Sequence, residues 1–276
     1  MRAMLLVAAL LVVVAGVLLV VFSEDTDRLF AWTITSPLTA TFLGGMYLGA
    51  MVIELTASRE RSWANARVAV PAVWAFTTLT LVITVIHRDR FHFDDPRAVT
   101  RTGTWVWLLV YAAVPLVLSA AWLWQLRAPG TEPSKLRELP STMRRGFFGS
   151  GAAMVGLGVG LLLAPSRLGS TWPWTLTDLT GRAVGAWMVG LGILALHSAQ
   201  ENDVRRLRGV FAAMVAWGLL SWTALGRYSD EADWNAPPAW LFVSASVVFV
   251  GVGVCGLVLN NRIWRNLSTE TPQESP

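Results

Sequence analysis

Charge is scarce in this chain. Asp, Glu, Lys and Arg together supply 14% of its residues, where an average soluble domain has about a quarter. So few charges cannot clothe a water-facing surface, and a soluble globular fold is excluded. Cysteine is scarcer still: Cys255 stands alone, which rules out an intrachain disulfide and a Cys-based metal cluster. With three histidines in all, paired imidazole ligation of haem has little to draw on. Nor is there a Gly-rich phosphate loop, an H-E-x-x-H zinc helix or a nucleophile elbow. No metal and no cofactor are expected.

What the chain has is apolar length. Hydrophobic residues make up 54% of it and its mean hydropathy is +0.51. They come in runs near 20 residues, enough to cross about 30 Å of hydrocarbon as helices. In lipid such runs must satisfy their own backbone, which makes them helical. The pattern predicts an all-α membrane protein with about eight transmembrane helices, near 3–22, 38–56, 67–87, 104–124, 146–164, 182–198, 209–226 and 239–260. The first run follows Arg2 like a signal peptide, but it exceeds the usual 7–15-residue apolar region (roughly) and has a counterpart later in the chain, so it is expected to be retained.

The net charge of +4 and pI near 10.0 do not point to nucleic acid, because the basic residues are scattered among the ends of the apolar runs. Counted on alternate sides, fourteen Lys and Arg lie with the N-terminus and eight opposite. The positive-inside rule then places both termini in the cytoplasm of a bacterial plasma membrane. Trp105 and Trp107 open the fourth span and Trp122 and Trp124 close it, as interface anchors do; Trp32, Trp172, Trp174, Trp234 and Trp240 fall at the outer boundary on the same reading.

An internal repeat organises the chain. At a constant offset of 141, Gly44 matches Gly185, Gly49 Gly190, Glu60 Glu201, Arg67 Arg208, Asp89 Asp230 and Pro96 Pro237. Each unit has four spans, so the copies point the same way: two parallel four-helix repeats related by a pseudo-two-fold axis along the membrane normal. The expected domains are a first repeat over 1–126, a cytoplasmic linker over 127–143, a second repeat over 144–262 and a polar cytoplasmic tail over 263–276, disordered from Ser268.

The string from Trp172 to Arg182, W-P-W-x-L-T-x-L-T-x-R, resembles one in uncharacterised multi-pass membrane proteins of actinobacteria. Its first-half copy at Trp32 is partial, with Ala31 for the Pro and Thr41 for the Arg. The excess of Arg over Lys, 21 to 1, fits a GC-rich genome. The resemblance implies no activity.

Two groups of polar residues are candidate sites. Within the bilayer, Glu54 and His197 occupy nearly equivalent places in the two copies, offset by 143, and could form a proton or substrate relay with Thr80 and Thr84 of a helical stripe. Outside, the repeated Asp89 and Asp230 could centre a carboxylate-based ion or substrate site, and the segments of Trp32 and Trp174 with Arg182 could form an anion site at exposed helix N-termini. Each has a structural alternative: snorkelling of Glu54 toward Arg59 or Arg61, back-bonding of the Thr hydroxyls, caps, and a solvated charged loop. Glu60 with Arg67 and Glu201 with Arg208, each seven residues apart, would share a face if their loops are helical, and ion pairing near the headgroups with anionic-lipid contact is expected of them. The spacings Gly45/Gly49, Gly156/Gly160 and Gly181/Gly185 predict close helix approach.

Since nearly every polar feature has an anchoring or capping role, the sequence points first to a non-catalytic accessory or lipid- or partner-binding module. Its expected partners are the lipid bilayer and other membrane proteins, not nucleic acid. The alternatives are a small-solute transporter with a site between the repeats, and an enzyme acting on a lipid-linked substrate at the outer face.

Overall fold

The computed structural model describes residues 2–60, 62–127 and 133–270, with side chains over 6–60, 62–127 and 133–262. Arg61, the linker's Pro129 and Gly130, and the tail beyond residue 270 lie outside the described residues. Among the described residues there is no strand, only a bridge between Trp32 and Phe91, and the chain is about 80% helical.

Eight long helices carry the fold: α1 (Arg2–Val21), α2 (Pro37–Arg59), α3 (Val70–Ile86), α4 (Ala98–Arg127), α5 (Ser141–Leu163), α6 (Asp178–Glu201), α7 (Arg208–Arg227) and α8 (Pro237–Glu270). Seven helical spans are long and apolar enough to cross a membrane, α2, α4 to α8, and α3 taken with the turns before it as Trp63–Ile86, and α1 adds an apolar stretch over Leu6–Val21. The chain is a multi-pass membrane protein. Helix α8 continues past Ser268, where the sequence pattern placed a polar tail.

Local sequence sets the helix ends. Ser36 caps α2 by accepting from the Thr39 amide at 3.0 Å, with Pro37 in the first turn, where its missing N–H costs nothing. Helix α6 opens with a capping box in which Thr177 and Thr180 satisfy each other's backbone N–H groups. It closes at Asn202, whose φ of 47° is the left-handed conformation that ends helices.

The helices pack as two rows, α1–α2–α7–α8 and α4–α3–α6–α5, touching lightly where α2 meets α6. Each row therefore takes two helices from each half of the chain. Helices α4, α5 and α8 leave most of their apolar surface outward, as lipid-facing helices do, whereas α2 and α6 are the most enclosed. Two glycine crossings hold the rows together. A Cβ on Gly44 would lie 2.8 Å from the Gly16 carbonyl, and one on Gly185 would lie 2.8 Å from that of Gly158. Only a residue without a side chain permits such backbone approach. Of the predicted spacings, Gly156 instead faces open space and Gly45 meets the side chain of Leu220.

Four connections meet at one end of the bundle. Ser23 bonds the Tyr228 hydroxyl at 2.7 Å, Asp233 donates its N–H to the Pro173 carbonyl at 2.9 Å, and Arg182 reaches His87 at 2.9 Å. This is the acidic end. The other connections meet at the basic end, where Val204 donates its N–H to Arg137 at 2.9 Å and Arg67 pairs with Glu201.

Trp105, Trp122, Trp124 and Trp240 are exposed on the bundle's outside, as interface anchors should be. Trp32 and Trp174 are not: each is 3% exposed. The connections before α2 and α6 fold inward, so these rings fill the bundle's acidic end. Trp32 packs on Phe30, Phe91 and Trp107, and Trp174 packs on Phe42, Trp172 and Phe242.

Candidate functional site

At the basic end, the carboxylate of Glu201 closes α6 and gathers a buried ion network. Arg67 Nε donates to Oε1 at 2.6 Å, and Arg206 Nη1 donates to Oε2 at 2.6 Å. The Arg206 side chain is 2% exposed; it also reaches Asp203 at 3.8 Å and the Pro133 carbonyl at 2.8 Å. His197 completes the group, with Nε2 at 3.5 Å from Glu201 and Nδ1 at 2.9 Å from the Val68 carbonyl. Arg67 thus pairs across the halves with Glu201 and not with Glu60 in its own loop. The reason is local: α2 stops at Arg59 and the next turn begins at Trp63, so no continuous helix holds Glu60 and Arg67 on one face.

Beside this network lies a cavity of about 90 Å³, between the end of α2 and the start of α7. Thr56, Arg59, Glu60, Asn65, Arg208 and Gly209 are among its lining residues. Asn65 donates to Glu60 Oε2 at 3.0 Å. Its volume is several times the roughly 10–15 Å³ that one water needs.

Deeper in the bundle, the hydroxyls of Tyr47 and Tyr111 meet at 2.6 Å inside a cluster of Phe76, Trp107 and Trp187 rings. Glu54 lies two turns along α2 from Tyr47, hence on the same face. It is 9% exposed, and its Oε2 has no hydrogen-bond partner among the described residues. Among those residues no hydrogen bond or ion pair joins Glu54 to His197. The Thr stripe bonds back into its own helix: Thr80 to the Phe76 carbonyl and Thr84 to that of Thr80, each at 2.8 Å, while Trp107 Nε1 donates to Thr84 at 3.2 Å.

At the acidic end the five outer candidates are dispersed. Asp89 is exposed and pairs with its neighbour Arg90 at 3.2 Å, and Asp230 is exposed on a turn from Ser229 to Glu231. Trp174 donates from Nε1 to Thr39 at 2.9 Å, whereas the Trp32 Nε1 has no hydrogen-bond partner among the described residues. Arg182 tethers α6 to α5 through the Leu162 carbonyl at 3.1 Å and donates to His87. Arg97 clasps Asp95 with bonds of 3.0 and 2.9 Å and holds its carboxyl down at about 2. Among the described residues no three His, Cys, Asp or Glu side chains converge as metal ligands would.

Burial, followed by the charge of Arg182, pushes the His87 imidazole below its ordinary range. A histidine so depressed stabilises the fold above the free value of about 6.5, and that contribution is lost as pH falls through the folded value. An imidazole NMR titration is therefore expected to place the His87 midpoint below about 6.5 and to move it upward in Arg182→Gln. A midpoint at the free value would contradict the Arg182–His87 geometry.

Two functional contacts carried no sequence signal strong enough to single them out. Glu231 accepts from Ser36 Oγ at 2.5 Å and from the Leu38 amide at 3.1 Å, so it caps α2 from the opposite half. In sequence it is one more acid in a charged loop. The Tyr47–Tyr111 bond joins two of only three tyrosines, a scarcity that could have drawn attention. No family description, curated protein or solved structure matches this chain.

Proposed function

We propose that the chain is a non-catalytic module of a bacterial plasma membrane that binds lipid or a membrane partner, built by tandem duplication of a four-helix block. The basic end faces the cytoplasm and carries both termini. Recurrence of contacts supports the duplication. Gly44 meets Gly16 as Gly185 meets Gly158, at offsets of 141 and, one residue longer in the preceding helix, 142. Gly49 packs on Trp217 and its equivalent Gly190 on Phe76, itself the equivalent of Trp217. Asn65 donates to Glu60 as Arg206 donates to Glu201.

One observation carries the non-catalytic reading: where α3 meets α6, Trp187 of the second half packs on Tyr47 and Phe76, which continue into the ring cluster of Trp107 and Tyr111. The polar groups nearby are spent on caps, back-bonds and ion pairs. A second reading, a proton-coupled transporter of small solutes, draws on the buried Oε2 of Glu54, which has no hydrogen-bond partner among the described residues.

Proteoliposomes holding a pH-sensitive dye separate the two. With an imposed pH gradient, the intact chain is expected to leak protons no faster than empty liposomes. A flux that disappears in Glu54→Gln would overturn the module reading and install the transporter.

A further inference from the structure

Applied to the basic end, the 141-residue offset maps the buried ion network onto the cavity. His197 corresponds to Thr56, Glu201 to Glu60, Arg206 to Asn65, Arg67 to Arg208 and Val68 to Gly209. All five equivalents line the cavity. In the second copy these positions are filled and neutralised: His197 reaches the Val68 carbonyl, and two guanidiniums close on Glu201 at 2.6 Å. At the equivalent positions three residues are smaller, Thr56 for His197, Asn65 for Arg206 and, in the second half, Gly209 for Val68, and all three line the cavity.

The charges differ as well. Glu60 is met by the uncharged amide of Asn65 at 3.0 Å. The Arg208 guanidinium makes no hydrogen bond or ion pair among the described residues, and neither does that of Arg59, though both line the cavity. Arg206 and Arg67 are engaged by Glu201. One of two equivalent ion networks is therefore closed, while the other is an open cavity with two uncommitted guanidiniums. It lies at the ends of two membrane-crossing helices, α2 and α7, where a bilayer presents its headgroups.

We propose that this cavity binds the phosphate group of an anionic phospholipid, held by Arg59 and Arg208 between α2 and α7. Guanidinium forks match phosphate oxygens in paired hydrogen bonds. Basic pockets between membrane helices on the cytoplasmic side suit such headgroups. The proposal rests on the duplicated-module reading and names its ligand.

The test titrates the full chain in detergent with short-chain phosphatidylglycerol, short-chain phosphatidylcholine and inorganic phosphate, counting bound molecules by native mass spectrometry. One phosphatidylglycerol is expected to bind at least about tenfold more tightly than phosphatidylcholine, with inorganic phosphate failing to displace it at equal concentration. R59Q/R208Q is expected to weaken phosphatidylglycerol about tenfold, and R59K/R208K about threefold, because lysine keeps the charge and loses the fork.

N65R restores the second copy's arrangement by placing a guanidinium on Glu60. It is expected to weaken the lipid about tenfold although it adds positive charge, because it fills the cavity. Undiminished binding in R59Q/R208Q, equal binding of the two lipids, or displacement by inorganic phosphate would each overturn the proposal. Should R59Q/R208Q misfold, undiminished binding in N65R overturns it alone. Glu54-dependent proton flux with lipid binding intact would sink the module reading and leave this site standing.

Discussion

Replacing Glu201 with alanine is expected to lower stability by about 3–5 kcal/mol, because it strands buried positive charge. The carboxylate lies 2.6 Å from Arg206, whose side chain is 2% exposed, and it also holds Arg67 at 2.6 Å. Asp203 at 3.8 Å and the Pro133 carbonyl at 2.8 Å remain to Arg206 in the variant, which argues for the lower half of that range. The pair as a whole is worth less than its halves: Glu201→Met with Arg206→Met removes both charges and should recover most of the loss. Glu60→Ala, 141 residues earlier in the chain, deletes a bond from the neutral donor Asn65 to a half-buried side chain and should cost about 1 kcal/mol. Denaturant unfolding in micelles measures all three. A Glu201→Ala protein within about 1 kcal/mol of the wild type would mean that water reaches Arg206 and the network is not buried.

Hydrophobic length made the membrane helices legible, because in lipid an apolar run of that length has few structures open to it. The two ends could likewise be told apart from charge counts. What the sequence could not show is which segments meet. Glu60 and Arg67 are seven apart in one loop, and spacing alone sees only that loop; the ion pair that forms spans the halves, from Arg67 to Glu201. The same limit applies to the intramembrane candidates. An offset of 143 aligned Glu54 with His197, while in packing terms the equivalent of His197 is Thr56: the one faces Val68, the other its equivalent Gly209. Tryptophan misled for a related reason. Trp32 and Trp124 are alike in sequence context, each near a span end, yet one is 3% and the other 75% exposed, because the connection bearing Trp32 folds back into the bundle. Glycine spacing marked many places where helices could approach, and packing selected among them.

That selection gives the second large effect. Gly185→Leu is expected to cost about 3 kcal/mol, at the top of the range for overpacking, because its Cβ would stand 2.8 Å from the Gly158 carbonyl and 3.1 Å from Leu161 Cβ. Backbone cannot swing aside as a side chain can, so α5 and α6 must separate. Separation would also stretch the bond from Arg182 to the Leu162 carbonyl, now 3.1 Å, which ties the same two helices. Gly156→Leu, on the same α5 but facing open space, should change stability by no more than about 0.5 kcal/mol. The contrast isolates helix approach from any general intolerance of leucine in α5 and α6. Gly44→Leu extends it to the first half of the chain, where the Cβ would stand 2.8 Å from the Gly16 carbonyl, and its cost should match that of Gly185→Leu within about 0.5 kcal/mol if the chain is duplicated. Thermal unfolding in one detergent compares the four proteins directly. If Gly185→Leu melts with the wild type, the α5–α6 crossing is looser than drawn; if Gly44→Leu alone is tolerated, the two crossings are not equivalent and the duplicated block loses its strongest physical support.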